Sequence, residues 1–278
     1  MKNILVPIEE HSLLPQVLET ALLLGRIFDS YVEGLPITLD LPVAMPVDMA
    51  IAPPSVLDPQ VRREMAAASR HHFEAVMTGE GVPRVREGAA GVSFGWHEGE
   101  LADDAFLGDY ARAFDITVVG RPSARENHAR LATVESALFE SGRPVLVVPP
   151  TVPRTLGRTI IIAWNRSTET ARTVAFAMPL LARAERVVVL EINGWGTGMT
   201  PGDVLARSLR RHGINVASQT IDEDRSGPGP TILAAATAAG CDLLIKGAYT
   251  QSRIRQMIFG GATSHILART ELPVFMAH

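Results

Sequence analysis

Short apolar runs rich in β-branched residues alternate along the chain with longer segments of helical periodicity. The first run spans residues 4–8. The segment after it places four apolar residues on one helix face: Leu13, Val17, Ala21 and Leu24. Such alternation is typical of parallel sheets that are covered by helices on both faces. The chain is therefore predicted to be an α/β protein.

Further segments of both kinds follow. In the first half the predicted strands after the first span 31–37, 92–96, 116–120 and 144–148, and the predicted helices after the first lie near 61–78 and 100–114. In the second half the predicted strands span 160–164, 186–192, 215–219, 242–247 and 273–277, and the helices span 168–181, 230–239 and 265–270. The stretch 41–59 contains prolines at five positions, which disfavour regular structure, so we expect a surface excursion there.

The chain contains an internal repeat. Two late strands recur at offsets of 127 and 129 residues: 116–120 at 243–247, and 144–148 at 273–277. The first strands of the two copies are 156 residues apart, so the first copy has about 29 additional residues in an interval that includes the proline-rich stretch. We predict two tandem doubly wound domains at 1–150 and 157–278, each a five-stranded parallel sheet flanked by helices, with a proline-rich linker near residue 153.

The composition of the chain argues against nucleic acids and membranes as its partners. The formal charge of −4 and the pI of about 6.1 provide no general attraction for nucleic-acid phosphates or anionic lipids. No apolar segment reaches the roughly 18 residues that a membrane-spanning helix needs. The single cysteine, Cys241, excludes an internal disulfide and fits a reducing compartment. We expect a cytoplasmic protein that binds neither nucleic acid nor membrane.

One glycine-containing segment of the second half could bind an anion. Gly247 follows an apolar strand, and the pair Gly260 and Gly261 precedes a helix whose first turn contains Thr263 and Ser264. Glycines let backbone N–H groups approach a phosphate, and a helix N-terminus adds unpaired donors and a positive dipole end. The alternative is an ordinary tight turn followed by an ordinary helix cap.

The segment that runs from Gly247 through Thr250 and nine further residues to Gly260 and Gly261 resembles the phosphate loop of the universal stress protein family. The resemblance covers nearly the whole chain in two copies. Thr250 stands where nucleotide-binding members have a second glycine, and Gly261 stands where they have a hydroxyl residue. The resemblance implies strand order 3-2-1-4-5 in each domain, fifth strands that pair with each other, and ATP or a related adenine nucleotide, with Mg²⁺, as ligand.

The family also has an aspartate after its first strand. Glu9 occupies that position in the first copy and Asn165 occupies it in the second. Asn165 has a donor and an acceptor for a nucleotide, and a turn or helix-cap role is the open alternative. The predicted nucleotide-binding set is Ala163, Asn165, Gly247, Thr250, Gly260, Gly261 and Ser264. No glycine lies between Gly120 and Gly142, so the first copy lacks the phosphate loop.

Three functions remain open. The first is a stress-response accessory protein that binds an adenine nucleotide in its second domain and contacts an unknown protein partner. The second is a nucleotide-independent stress or scaffold protein, and the third is an ATP hydrolase, for which the sequence offers no recognisable base or nucleophile. No catalytic residue and no metal site are predicted, because the neighbouring His71 and His72 cannot chelate one metal well. The sequence leaves a homodimer open.

Overall fold

The computed structural model describes residues 1–37, 59–85, 90–99, 101–123, 127–196, 198–248 and 261–278. Its strands are β1 (Asn3–Ile8), β2 (Tyr31–Pro36), β3 (Ser93–Trp96), β4 (Ile116–Gly120), β5 (Val145–Val148), β6 (Thr159–Ala163), β7 (Arg186–Ile192), β8 (Val216–Ile221), β9 (Leu243–Gly247) and β10 (Val274–Ala277). Its α-helices are α1 (Leu14–Phe28), α2 (Pro59–Gly79), α3 (Asp104–Tyr110), α4 (Leu131–Phe139), α5 (Thr168–Leu181), α6 (Gly202–Arg211), α7 (Pro228–Ala238) and α8 (Gly261–Arg269).

All ten strands of the described residues belong to one sheet. Their order is β3-β2-β1-β4-β5-β10-β9-β6-β7-β8, so each half has the predicted order 3-2-1-4-5. Strands within each half are parallel, whereas β5 and β10 pair antiparallel, with Val147 opposite Val274. The fifth strands therefore join the two five-stranded halves, as the family resemblance implied. Because the sheet is continuous through both halves, the division at residues 150 and 157 stays a prediction.

Two apolar cores lie on the two faces of the sheet. Side chains alternate along each strand, so Ile160 and Ile162 of β6 enter one core while Ile161 and Ala163 enter the other. The first core includes residues of α1, α2, α5 and α6, and the second includes residues of α3, α4, α7 and α8. Strands that are covered on both faces need apolar side chains at successive positions, which explains the uninterrupted apolar runs of the sequence.

Several predicted boundaries differ from the structure. The predicted helix 100–114 is shorter, because Asp103 caps α3 by accepting a hydrogen bond from the Phe106 N–H and a 3-10 turn follows at Ala111–Ala113. The helix predicted to begin at residue 265 begins at Gly261, and α4 and α6 were not predicted. The proline-rich stretch lies outside the described residues except for Pro59, which begins α2.

Among the described residues, no helix has both the length and the apolar character that crossing a membrane requires.

Candidate functional site

The predicted site lies where the carboxyl ends of two neighbouring strands meet. β6 lies between β7 and β9, so the strand order reverses there. Ala163 ends β6, Asn165 follows two residues later, and Gly247 ends β9. In open α/β sheets, ligands bind in the crevice at such a reversal. The topology therefore brings these three residues to one place.

The side chain of Asn165 takes part in the turn that begins α5. Its Oδ1 accepts hydrogen bonds from Thr170 Oγ1 at 2.5 Å and from Ser167 Oγ at 2.8 Å. Ser167 is the N-cap residue of the helix and accepts a bond from the Thr170 N–H at 3.2 Å. Asn165 is buried, so these contacts hold its amide oxygen against the protein. The geometry favours the turn role, and the nucleotide contact stays a prediction.

Gly247 is required for close packing between β9 and α5. A Cβ atom at this position would lie 2.4 Å from the backbone nitrogen of Thr170 and 2.6 Å from its Oγ1. Both distances are far below van der Waals contact, and the nearer atom belongs to the backbone of a helix. The sequence indicated that a glycine here lets the backbone approach a phosphate. The structure supplies a second reason, which is the approach of the strand to the helix N-terminus.

The other arm of the predicted site is the first turn of α8. Gly261 has φ of +86°, in the left-handed region that favours glycine, and a Cβ there would meet nothing within 4 Å. Ser264 is half-buried in the same turn, and Thr263 is buried. Thr250 and Gly260 lie outside the described residues.

Lys246 connects the two arms. Its Nζ donates hydrogen bonds to Thr263 Oγ1 at 2.6 Å and to the Gly247 carbonyl oxygen at 2.7 Å. The residue is 3% exposed, on the same sheet face as Leu244 and the apolar core beneath α8. Burial lowers the pKa of the ammonium group from its ordinary value of 10.5 to about 7. At neutral pH a substantial fraction of this buried amine is therefore uncharged.

Lys246 was not among the site residues predicted from the sequence. The signal was present, because a lysine interrupts the apolar run of β9, and the chain has only one other lysine, Lys2. The repeat places Val119 at the equivalent position of β4. The buried amine is therefore a feature of the second half that the first half lacks.

The glycine-rich loop after β7 packs against the end of β6. A Cβ at Gly196 would lie 2.3 Å from the Asn165 carbonyl oxygen, and a Cβ at Gly198 would lie 2.4 Å from the Arg166 carbonyl oxygen. The guanidinium of Arg166 donates to the carbonyls of Trp195 at 3.2 Å and Gly198 at 3.1 Å. Arg166 therefore holds this loop against Asn165, the residue that was predicted to contact the nucleotide.

In the first half, an ion-pair cluster occupies the equivalent place. Arg130 contacts both oxygens of Asp104 at 3.0 Å and also pairs with Glu9, which is 4% exposed. Thr133 Oγ1 donates to Glu9 at 2.8 Å. The cleft beside them, which His11 also lines, leaves about 10 Å³ for the centre of a water-sized sphere, far below the roughly 300 Å³ at which ligand pockets begin. The residue that the resemblance aligned with the family's aspartate thus pairs with an arginine of its own chain.

Comparison with known protein families identifies the second half of the chain. The universal stress protein family matches residues 157–278. These residues belong to that family. No curated protein sequence matches the chain.

Solved universal stress proteins share the fold of the whole chain. One from Archaeoglobus fulgidus DSM 4304 has a TM-score of 0.71 at 15% identity, with 99% of this chain and 95% of that chain covered. A putative universal stress protein from Pseudomonas aeruginosa UCBPP-PA14 has a TM-score of 0.57 at 14% identity, with 100% and 93% covered. A shorter one, solved in complex with cAMP, covers 44% of this chain and 96% of its own length at 16% identity, with a TM-score of 0.35. At 15% and 14% identity, the likeness to the first two structures extends to the fold alone.

The universal stress protein domain contains five of the seven predicted nucleotide-binding residues in its described part. Ala163, Asn165 and Gly247 lie at neighbouring strand ends, and Lys246 links them to the turn that contains Gly261 and Ser264. Within the described residues, no group of three or more His, Cys, Asp or Glu side chains is arranged to hold a metal ion.

Proposed function

We propose that residues 157–278 bind ATP or a related adenine nucleotide with Mg²⁺, and that binding alters the contacts of this chain with a protein partner in a stress response. In this proposal the base and ribose lie beside Ala163 and Asn165, and the phosphates lie at the first turn of α8. One observation carries it. Lys246 ties the end of β9 to that turn at the reversal of strand order, where open α/β sheets bind their ligands.

The chemistry of the turn suits an anion. The first N–H groups of a helix have no partner within the helix, and the aligned peptide dipoles place partial positive charge there. Gly261 contributes no side chain that would hinder a phosphate, and Ser264 adds a hydroxyl group to the same turn. When protonated, Lys246 adds a positive charge beneath the turn.

Calorimetric titration with ATP and Mg²⁺ tests the proposal through one pair of variants. Ser264→Asp adds a negative charge to the first turn of α8, where it favours the helix but repels phosphate. Ser264→Asn has nearly the same shape and no charge. We expect Ser264→Asp to weaken ATP binding at least about tenfold, which corresponds to about 1.4 kcal/mol, and Ser264→Asn to retain most of the affinity.

The first half provides the matched control. Ala132 is exposed in the first turn of α4, so Ala132→Asp adds the same charge to the equivalent helix. Its ATP affinity should equal that of the unmodified chain. Equal affinities for Ser264→Asp and Ser264→Asn would place ATP elsewhere, and a loss of binding in Ala132→Asp would assign the nucleotide to the first half.

A nucleotide-independent scaffold is the second candidate. It is favoured because the amide oxygen of Asn165 already accepts hydrogen bonds within the turn that begins α5. Hydrogen bonds from Arg166 also hold the loop after β7 against Asn165. Mass analysis of small molecules released from freshly purified protein separates the two functions. An absence of released nucleotide, together with no heat on titration with ATP, would reject the nucleotide proposal and favour the scaffold.

A further inference from the structure

The two edges of the ten-stranded sheet are protected differently. Along β3, a segment of the same chain covers the outer edge, because the Phe94 N–H donates to the Pro83 carbonyl at 3.0 Å and the Val85 N–H donates to the Phe94 carbonyl at 2.7 Å. At the opposite edge, β8 has only β7 as a strand neighbour among the described residues. An edge strand of this kind can pair with another chain.

The backbone groups that β8 presents outward can be identified from its ladder. The carbonyls of Asn215 and Ile221 accept bonds from the N–H groups of Val187 and Asn193 on the β7 side, so odd-numbered positions face β7. Even-numbered positions therefore face away from the sheet. Of these outward groups, the carbonyl of Val216 already accepts a hydrogen bond from Arg210 Nε at 3.1 Å. Within the described residues, no backbone bond to the outward groups of Ser218 and Thr220 is found.

The side chains of β8 leave pairing open. The strand has the sequence VASQTI, with no charge and no proline, and the run from Ala217 to Thr220 is exposed. Natural edge strands usually resist pairing through charged side chains, proline, a bulge or a covering segment. The six residues of β8 include neither a charged side chain nor a proline.

The charges at the two ends of β8 favour a second copy of this chain as the partner, in antiparallel orientation. Arg210 and Arg211 precede the strand, whereas Asp222, Glu223 and Asp224 follow it before Arg225, so this end stays acidic overall; all six residues are exposed. If two copies pair antiparallel, the basic end of each strand lies beside the acidic end of the other. A parallel arrangement would bring like charges together and would be disfavoured.

We propose that β8 is a self-association surface at which two copies of this chain pair antiparallel about a two-fold axis. With Ser218 of one copy opposite Thr220 of the other, the outward groups form about four backbone hydrogen bonds. The same register places Asp222 of the second copy opposite Val216, beside the Arg210 guanidinium. The result is an isologous interface that joins two ten-stranded sheets. This proposal does not depend on nucleotide binding.

Sedimentation velocity over a series of protein concentrations tests the proposal. We expect a reversible dimer that weakens as salt is added, because exposed charges contribute to it. Ser218→Pro removes an outward N–H that makes no bond to β7, and proline is tolerated at such edge positions, so the fold should be retained while the dimer is lost. Circular dichroism and thermal unfolding of the variant check the fold.

Charge reversal provides a test that does not change the backbone. Arg211→Glu and Glu223→Arg each bring like charges together in the antiparallel dimer, so each should weaken association. The double variant restores opposite charges across the two-fold axis and should recover the dimer. A chain that remains monomeric at every concentration would overturn the proposal. A dimer that persists in Ser218→Pro, or a double variant no better than the singles, would also overturn it.

Discussion

Replacing Lys246 with methionine should stabilise the protein near neutral pH and remove a pH dependence. In the unfolded chain this lysine has its ordinary pKa of 10.5, whereas burial lowers the folded value to about 7. Between these values the unfolded chain binds a proton that the folded chain does not bind. Stability therefore falls as pH falls from 10.5 towards 7, and this contribution stays constant at lower pH.

The magnitude follows from the two pKa values. A gap of about 3.5 pH units, at about 1.4 kcal/mol per unit, corresponds to roughly 5 kcal/mol of unfolding free energy lost between high pH and pH 7. Methionine fills a similar volume without a charge, but it gives up the hydrogen bonds to Thr263 and to the Gly247 carbonyl, each worth about 1 kcal/mol. We expect Lys246→Met to be about 2–3 kcal/mol more stable than the unmodified chain at pH 7.

Urea unfolding across this pH range measures the effect. The stability of the unmodified chain, relative to Lys246→Met, should rise by roughly 1 kcal/mol per pH unit from about pH 7 to about pH 10. Lys2→Met is the matched control, because Lys2 is exposed and is the only other lysine. With two lysines, isotope labelling of lysine also allows the titration of Lys246 to be followed directly by NMR. Parallel stability curves for the unmodified chain and Lys246→Met would refute the reasoning.

Two further substitutions, one in each half, test a buried ion pair and a close backbone approach. Arg130→Met leaves the buried Glu9 carboxylate without its cation and should cost about 3–5 kcal/mol in urea unfolding, whereas Arg158→Met, in an exposed ion pair, should change stability by less than about 1 kcal/mol. Gly247→Ala forces a Cβ against the α5 backbone and should lower the midpoint of thermal unfolding. Gly79→Ala is the control, because a Cβ there meets nothing within 4 Å, and it should not lower the midpoint. Equal midpoints for the two variants would contradict the close approach of β9 to α5.

Much of the fold could be predicted from the sequence because buried parallel strands require apolar runs and a duplicated fold repeats them. The helix predicted at 168–181 matches α5, and the strand predicted at 186–192 matches β7. α6 was not predicted, although its apolar residues Leu205 and Leu209 lie one helical turn apart; only Ala206 and Leu209 of its apolar side chains are buried. α4 was not predicted, although its buried apolar residues Val134, Ala137 and Leu138 are spaced for a helix.

Less of the site could be predicted, because its contacts join residues that are distant in sequence. Glu9 and Arg130 are 121 positions apart, and no spacing rule connects them. The partners of Asn165 lie within five residues, yet the choice between a turn and a ligand contact depends on how α5 begins. Lys246 is conspicuous as a lysine in an apolar strand, but its hydrogen bond to Thr263 depends on how α8 packs against β9.

The antiparallel seam between β5 and β10 has a consequence for communication within the molecule. Because the strands of the two halves run in opposite directions, the carboxyl ends of the strands in one half lie on the same side as the amino ends of the strands in the other half. The crevice at the β1–β4 boundary and the crevice at the β6–β9 boundary therefore open in opposite directions. Arg121 of the first half donates to the Thr270 carbonyl of the second half at 2.8 Å, so side-chain contacts as well as the paired strands connect the two oppositely directed crevices.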